Sequence, residues 1–436
     1  MIVQRTGLSL MALSASLLAI STAQANQAES KGFIEDSTLN LLTRNVYWHM
    51  DRHASGAQDN REWGQGFHLE YSSGYTQGVV GFGVDLNAYM GIKLDSGRGR
   101  SGSGLLPVDS STNQADDEFG TLGGAVKMRI SNSELKYGQL RPYNPVIAVA
   151  DARLVPATAT GFQLTSAEID DLIIDAGHFT SSKDFNQAGS RDGFYSTYAP
   201  GAEGGSVDYV GANWVASDAL SFSAYASRYE DLWRQYYGNA IYNLTIDDQQ
   251  ALNFDFNIYR TLDEGKSVAG DIDVTAWSLA TAYSVGAHTF TIAHQRVHGD
   301  QPFDYLTLGG GGAQDSIYLA NSSQLVDFNG PGERSWRATY AMDLASYGVP
   351  GLSFYVSYIR GDNVDGSKMD ASSPYAYYAD NEKHWERDVN VQYVVQSGAA
   401  KDLKFRLRQA THRISGTSDV DSDQVRFIVE YPLSVL

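Results

Sequence analysis

The chain of 436 residues carries 51 acidic against 32 basic side chains, a formal net charge of −19, and no cysteine. The acid excess argues against general nucleic-acid binding, which needs a basic footprint, and the missing thiols exclude disulfides and thiolate metal sites. Beyond the first 25 residues there is no continuous apolar run of about 18 residues, so a membrane role requires a closed β-barrel, the other fold that satisfies every backbone group in lipid.

Residues 1–25 read as a secretory signal. Arg5 is their only charge, Leu8 to Ile20 is apolar, and Ala23-Gln24-Ala25 offers small residues for cleavage before Asn26. The alternative, a buried N-terminal helix, fits the length and flanks less well. Removing Arg5 leaves 31 basic against 51 acidic residues, a net of −20 for residues 26–436, which read as a single domain.

Within that domain, β-like segments recur between turn residues. Gly78 to Val84 is rich in Gly, Val and Phe, and Lys127 and Arg129 alternate with Val126, Met128 and Ile130. Thr165-Ser166-Ala167-Glu168 matches a helix capping box, but its surroundings favour a strand. Asp273 to Tyr283 sets Trp277, Leu279 and Tyr283 against small residues. In Ser335 to Met342, Trp336, Ala338, Tyr340 and Met342 share one face, with Arg337 and Thr339 on the other. Leu352 to Tyr358 alternates again, as do Lys404 to Arg408 and Gln424 to Tyr431.

A soluble antiparallel sheet also alternates. Four features favour a barrel: the export signal, the abundance of Tyr, Trp and Phe towards strand ends, the absence of a domain linker, and short turns alternating with long polar loops. Ser397-Gly398 and Asp263-Glu264-Gly265 read as short turns. The long loops are Leu94 to Gly120, the stretch from Arg141 through Asp151, Arg153 and Pro156, Leu308 to Gly332 with four consecutive glycines, Gly309 to Gly312, and Asp362 to Glu386.

Basic side chains on alternating segments carry the strongest chemistry. A charge facing lipid at mid-membrane costs about 2–4 kcal/mol, so Lys127, Arg129, Arg337, Arg406, Arg408 and Arg426 should face a lumen. There they either attract carboxylates through the planar guanidinium fork or pair with lumenal acids. Asp315 and Asp327 flank Ile317-Tyr318-Leu319 in a loop, and Asp116-Asp117-Glu118 lies in an earlier one; acid at a channel mouth concentrates cationic groups, although charge runs are usually solvated. No Gly-x-Ser-x-Gly elbow, zinc-helix motif, calcium loop or Gly-Lys-Ser/Thr continuation is present, so no catalytic site, metal or cofactor is expected.

Long runs of the chain resemble the OprD family of substrate-specific outer-membrane channels. They include Lys31 to Ser37, Val80 to Asp85, Ala159 to Leu164, Phe254 to Thr261, His298 to Tyr305, Asp327 to Glu333 and Tyr393 to Gly398. The resemblance implies an all-β, monomeric, transmembrane antiparallel barrel of about 18 strands in the bacterial outer membrane, surrounded by lipid and lipopolysaccharide. It also implies an inward-folded constriction loop around Asp151 to Pro156, and a basic ladder at Arg153, Arg406, Arg408 and Arg426. Asp315 and Asp327 match acidic positions over the pore. The expected cargo is small carboxylate-bearing solutes, in the branch that takes amino acids, related zwitterions and carbapenem antibiotics. Leu325 departs from a Tyr near the constriction, which bears on selectivity, and Leu436 departs from the usual aromatic C-terminus. Lys404 matches no ladder position and is expected near the membrane rim. The rival readings are a hydrolase on the same barrel, for which His178 and Ser316 are the candidate residues, and an adhesin.

Overall fold

Period-2 patterning builds one closed antiparallel sheet. The computed structural model describes residues 26–436 apart from 55, 57, 98, 190 and 310–314. The expected export signal and Gly310 to Gly312 lie outside the described residues. Eighteen strands form the sheet. They are β1 (Thr38–Arg52), β2 (Asn60–Ser72), β3 (Val80–Ser96), β4 (Glu118–Ile130), β5 (Ser133–Leu140), β6 (Thr158–Ile169), β7 (Leu172–Lys183), β8 (Val207–Ser217) and β9 (Leu220–Tyr229). There follow β10 (Trp233–Asp247), β11 (Gln250–Asp263), β12 (Asp273–Val285), β13 (His288–His298), β14 (Arg334–Asp343), β15 (Leu352–Asp365), β16 (Asp380–Val394), β17 (Lys404–Ser415) and β18 (Ser422–Ser434). Each strand pairs with the next, and β18 returns to β1 with Val46 opposite Ile428. Closure leaves no edge strand.

The alternation sorts the two faces. Val126, Trp336 and Leu407 are 58%, 57% and 46% exposed on the outer wall, whereas the neighbouring Lys127 and Arg337 are buried within the barrel. The outer wall is apolar where lipid would otherwise meet charge.

Residues 26–37, the C-terminus and the tight turns, such as Ser131-Asn132 and Asp218-Ala219, lie at one end of the barrel. The long loops 97–117, 141–157, 184–206, 299–333 and 366–379 lie at the other. Two expectations shift. Ser397-Gly398 does belong to the turn end, but Asp263-Glu264-Gly265 opens the loop 264–272 on the long-loop side. The polar stretch expected as a loop from Asp362 to Glu386 is shorter, because β15 runs to Asp365 and β16 starts at Asp380. The capping-box residues are strand, as their context favoured. Glu168 there accepts from Asn132 N at 2.8 Å, Ser131 Oγ at 2.9 Å and Ser133 Oγ at 2.8 Å, so its carboxylate caps the neighbouring β4–β5 turn instead of a helix.

The apolar core sits inside the barrel. Val146 and Ile147 of loop 141–157 pack with Tyr229, Trp233, Tyr259 and Phe303, and Leu154 and Val155 pack with Trp48 and Tyr89. Loop segments Phe194–Ser196, Glu203–Gly204 and Leu306–Leu308 add a small three-stranded sheet. At Gly66 of β2, a Cβ atom would meet the Leu154 carbonyl oxygen at 2.1 Å, so only glycine lets the loop lie this close to the wall.

Candidate functional site

Loop 141–157 is clamped into the lumen by charge. Arg44, inward on β1, donates to Asp151 Oδ1 at 2.6 Å and to the Arg153 carbonyl at 2.9 Å, and to Glu430 of β18 at 2.7 Å. Arg141 reaches Asp151 Oδ2 at 2.7 Å and Glu70 at 2.9 Å. Burial pushes the Asp151 carboxyl up, but Arg44 and Arg141 more than offset it and hold it below the usual aspartate range. His68 Nε2 lies 2.7 Å from the Leu154 carbonyl, and the Tyr259 hydroxyl donates to the Pro145 carbonyl at 3.1 Å. Each such bond contributes about 0.5–1.5 kcal/mol net.

The clamp places Arg153 opposite a basic wall. Its guanidinium lies 4.3 Å from the Trp48 ring centre and 5.0 Å from that of Phe185. Burial pulls Arg153 down to about 10, with Asp184 and Asp315 offsetting part of the shift. Arg426 stacks on the same Trp48 ring at 3.6 Å. Arg408 sits directly across from Arg426 in the β17–β18 register. Like charges directly opposite are destabilising in a sheet. The Arg408 Nε is buried with no hydrogen-bond partner among the described residues. Arg406, two residues nearer the turn end, holds Asn390 at 3.3 Å. Lys404, beyond it at the start of the strand, pairs with Glu430.

Loop 299–333 forms the facing side. Arg337 donates to the Ala320 carbonyl at 2.5 Å and to Ser323 Oγ at 3.0 Å. Glu386 accepts the backbone N–H groups of Gln324, Leu325 and Val326 at 2.9, 3.0 and 3.0 Å. Asp388 takes Ser323 Oγ at 2.5 Å. Asp327 accepts from the Tyr198 hydroxyl at 2.6 Å, Tyr305 at 2.8 Å and Ser322 at 2.5 Å, so its carboxylate is already engaged. Asp315 differs. Burial pushes its carboxyl up to about 6, against the pull of Arg153 and Arg408.

Arg153, Arg337, Arg408, Arg426, Asp315 and Asp327 line one lumenal cavity of about 440 Å³. A second, of about 670 Å³ towards the turn end, is lined by Glu70, Asp85, Lys136, Arg141 and Asp151. Tyr143 and Asp315 border both. Arg406 and Arg129 line neither. Arg129 lies inward on β4, 4.0 Å from the Tyr75 ring centre, and donates to Gln27 Oε1 at 3.1 Å. The N-terminal segment therefore covers it at the turn end. Reading the sequence missed Arg44, Trp48, Arg141 and Tyr143. The inward row Arg44, Val46, Trp48 on β1 carried the same cation-in-alternation signal as β17.

The hydrolase candidates do not meet. Ser316 is fully buried in the lumen, where its hydroxyl accepts from Ala148 N at 2.6 Å. His178 stands on the outer wall, 2.6 Å from Asp208. Catalysis by such a pair needs hydrogen-bond reach.

A family model described as outer membrane porin, OprD family, matches residues 31–435. Porin D of Pseudomonas aeruginosa is 52% identical over 419 residues, covering 94% of each chain. The porin-like protein GalP of Pseudomonas putida is 31% identical over 412 residues, covering 94% of this chain and 95% of its own. The crystal structure of Pseudomonas aeruginosa OprD superimposes with a TM-score of 0.83 at 49% identity, covering 94% of this chain and 99% of that one. That of Pseudomonas aeruginosa OpdK with vanillate gives 0.83 at 33% identity, covering 92% and 100%. A closed 18-strand barrel with inward loops, matched along nearly its whole length, is a channel of the outer membrane and not an enzyme: the chain belongs to the OprD family of outer membrane porins.

Proposed function

We propose that the chain conducts small carboxylate-bearing solutes by passive, selective diffusion, with basic or zwitterionic amino acids and short peptides as the main cargo and carbapenem antibiotics as further cargo. The observation that carries this reading is the convergence of Arg153, Arg408 and Arg426 on one cavity wall. Their guanidinium planes can take a carboxylate bidentately. Arg406 continues the basic path towards the turn end. Asp315, bordering both chambers, receives the ammonium or guanidinium group of the same solute; Asp327 shapes the wall. The relative OpdK was crystallised with vanillate, itself a carboxylate. Binding must stay weak and multi-site so that the solute leaves. The barrel works as a monomer, set in outer-membrane lipid and lipopolysaccharide. The test is single-channel recording with arginine or glutamate added to one side. Brief current interruptions are expected with wild type and absent with Arg408→Ala; interruptions of unchanged frequency in the variant would sink the reading.

A further inference from the structure

The outer wall carries a feature that conduction does not use. Six strands between β10 and β17, all but β12 and β16, present an arginine outward near their long-loop ends: Arg234, Arg260, Arg296, Arg334, Arg360 and Arg413. These share their faces with lipid-exposed side chains such as Tyr236, Ile292, Trp336 and Tyr358, which are 45%, 54%, 57% and 46% exposed. The register joins them into a belt. Arg296 lies directly across from Arg334, and Trp385 lies across from both Arg360 and Arg413. An aromatic stands one same-face step below Arg234, Arg334 and Arg360, at Tyr236, Trp336 and Tyr358. Interfacial aromatics mark the headgroup level, so the arginines stand at or just outside it, where an outward charge costs about 0–1 kcal/mol instead of the mid-membrane penalty.

Half of the belt is neutralised. Arg260 pairs with Asp273, Arg334 with Asp362 at 2.5 Å and Arg413 with Asp423 at 2.7 Å. Arg234, Arg296 and Arg360 have no ion pair and no side-chain hydrogen bond among the described residues, and Arg234 and Arg360 are exposed. On the opposite side of the barrel the corresponding outward positions of β4, β6 and β7 hold Glu118, Thr160 and His178. Arg61 of β2 is also outward without an ion pair among the described residues, so the free arginines are concentrated on this side, above an apolar wall: Arg234 to Arg296 is three strands, Arg296 to Arg360 two. Strand spacing of about 4.8 Å puts adjacent members on the order of 10–15 Å apart and the outer two on the order of 25 Å apart, a span that one phosphate cannot cover and a lipid with several phosphates can.

We propose that this belt binds the phosphate groups of a multiply phosphorylated lipid of the outer leaflet, with Arg234, Arg296 and Arg360 as donors and the apolar wall beneath them against the acyl chains. It rests on the reading of the chain as a barrel set in outer-membrane lipid and names the face that lipid occupies.

The test uses full-length protein in detergent with bis-phosphorylated lipid A, its dephosphorylated form and inorganic phosphate as probes, read by native mass spectrometry. Affinity for the bis-phosphorylated lipid should fall about five-fold per arginine removed and on the order of a hundred-fold in Arg234→Gln/Arg296→Gln/Arg360→Gln, while a triple Arg→Lys variant retains most of it. Unchanged affinity in the triple Gln variant overturns the proposal. So does equal binding of the dephosphorylated lipid by wild type, or displacement of the lipid by inorganic phosphate at equal concentration. Single Arg234→Gln and Arg360→Gln variants read the same surface if the triple variant does not fold. Carboxylate uptake stays at the wild-type level in all of them, because the three side chains face away from the lumen, so this proposal and the transport reading fail separately.

Discussion

The Arg426 guanidinium lies 3.6 Å from the centre of the Trp48 ring. Arg153, from a loop far away in sequence, approaches the same indole at 4.3 Å. A cation over an aromatic face gains about 0.5–2 kcal/mol, more when desolvated. Trp48 thus offsets part of the repulsion between two arginines that the fold brings together, and fixes both guanidinium groups against the wall.

Replacing Trp48 by Ala should therefore loosen the ladder at two points. Removing a buried aromatic costs about 3–5 kcal/mol, so the heat-modifiable mobility shift on gels should move to lower temperature. Trp48→Phe keeps a weaker aromatic face and should retain most carboxylate uptake. Equal loss in both variants would show that the indole only fills space.

The clamp on loop 141–157 depends on Arg44, which bridges Asp151 and Glu430. Breaking a buried pair by removing one partner costs about 3–5 kcal/mol. Arg44→Ala should release the loop from the wall and raise single-channel conductance while lowering discrimination between carboxylate and neutral solutes. Unaltered conductance would mean that the apolar loop contacts alone hold the constriction.

Glu386 receives three consecutive backbone N–H groups of loop 299–333. Each donor left buried and unsatisfied costs about 1–3 kcal/mol. Glu386→Ala should free residues 320–326 and expose them to limited proteolysis in intact barrels. Resistance equal to that of wild type would assign the fixing of this loop to Arg337.

Asp315 should make conduction pH-dependent, because burial pushes its carboxyl up to about 6. Below that pH the group is neutral and the chamber with Arg153, Arg408 and Arg426 favours anions; above it the carboxylate is charged and cation passage rises. The folded chain holds this proton to higher pH than the unfolded chain, so the group's contribution to stability falls as pH rises towards about 6. Reversal potentials in a salt gradient should show a step near pH 6 that Asp315→Asn removes. A step that persists in the variant would assign the titration elsewhere.

The barrel was legible because period-2 patterning is local: Lys404 to Arg408 and Trp336 to Met342 declare their faces without knowledge of their neighbours. The lumenal orientation of Arg337 and Arg426 followed from the cost of charge in lipid. What the lumenal charges do there was not legible. Arg337 is taken up by the Ala320 carbonyl and Ser323, and Asp327 by two tyrosines and a serine, all partners set by how loop 299–333 folds inward. Arg44 and Asp151 meet across 107 positions of chain, and nothing local to either announces the pair. The capping box at Thr165 to Glu168 misleads for a related reason: its Glu is a capping group, but for a turn between two other strands.

The central claim is that Arg408 and Arg426 pass carboxylates. The most direct measurement is liposome swelling with matched solutes of equal size, one carboxylate-bearing and one neutral, using wild type, Arg408→Ala and Arg426→Ala. Loss of a charge-assisted contact of about 1.5–3 kcal/mol should lower the carboxylate rate roughly ten-fold or more relative to the neutral one in each variant. Carboxylate and neutral rates that change by the same factor would contradict the account.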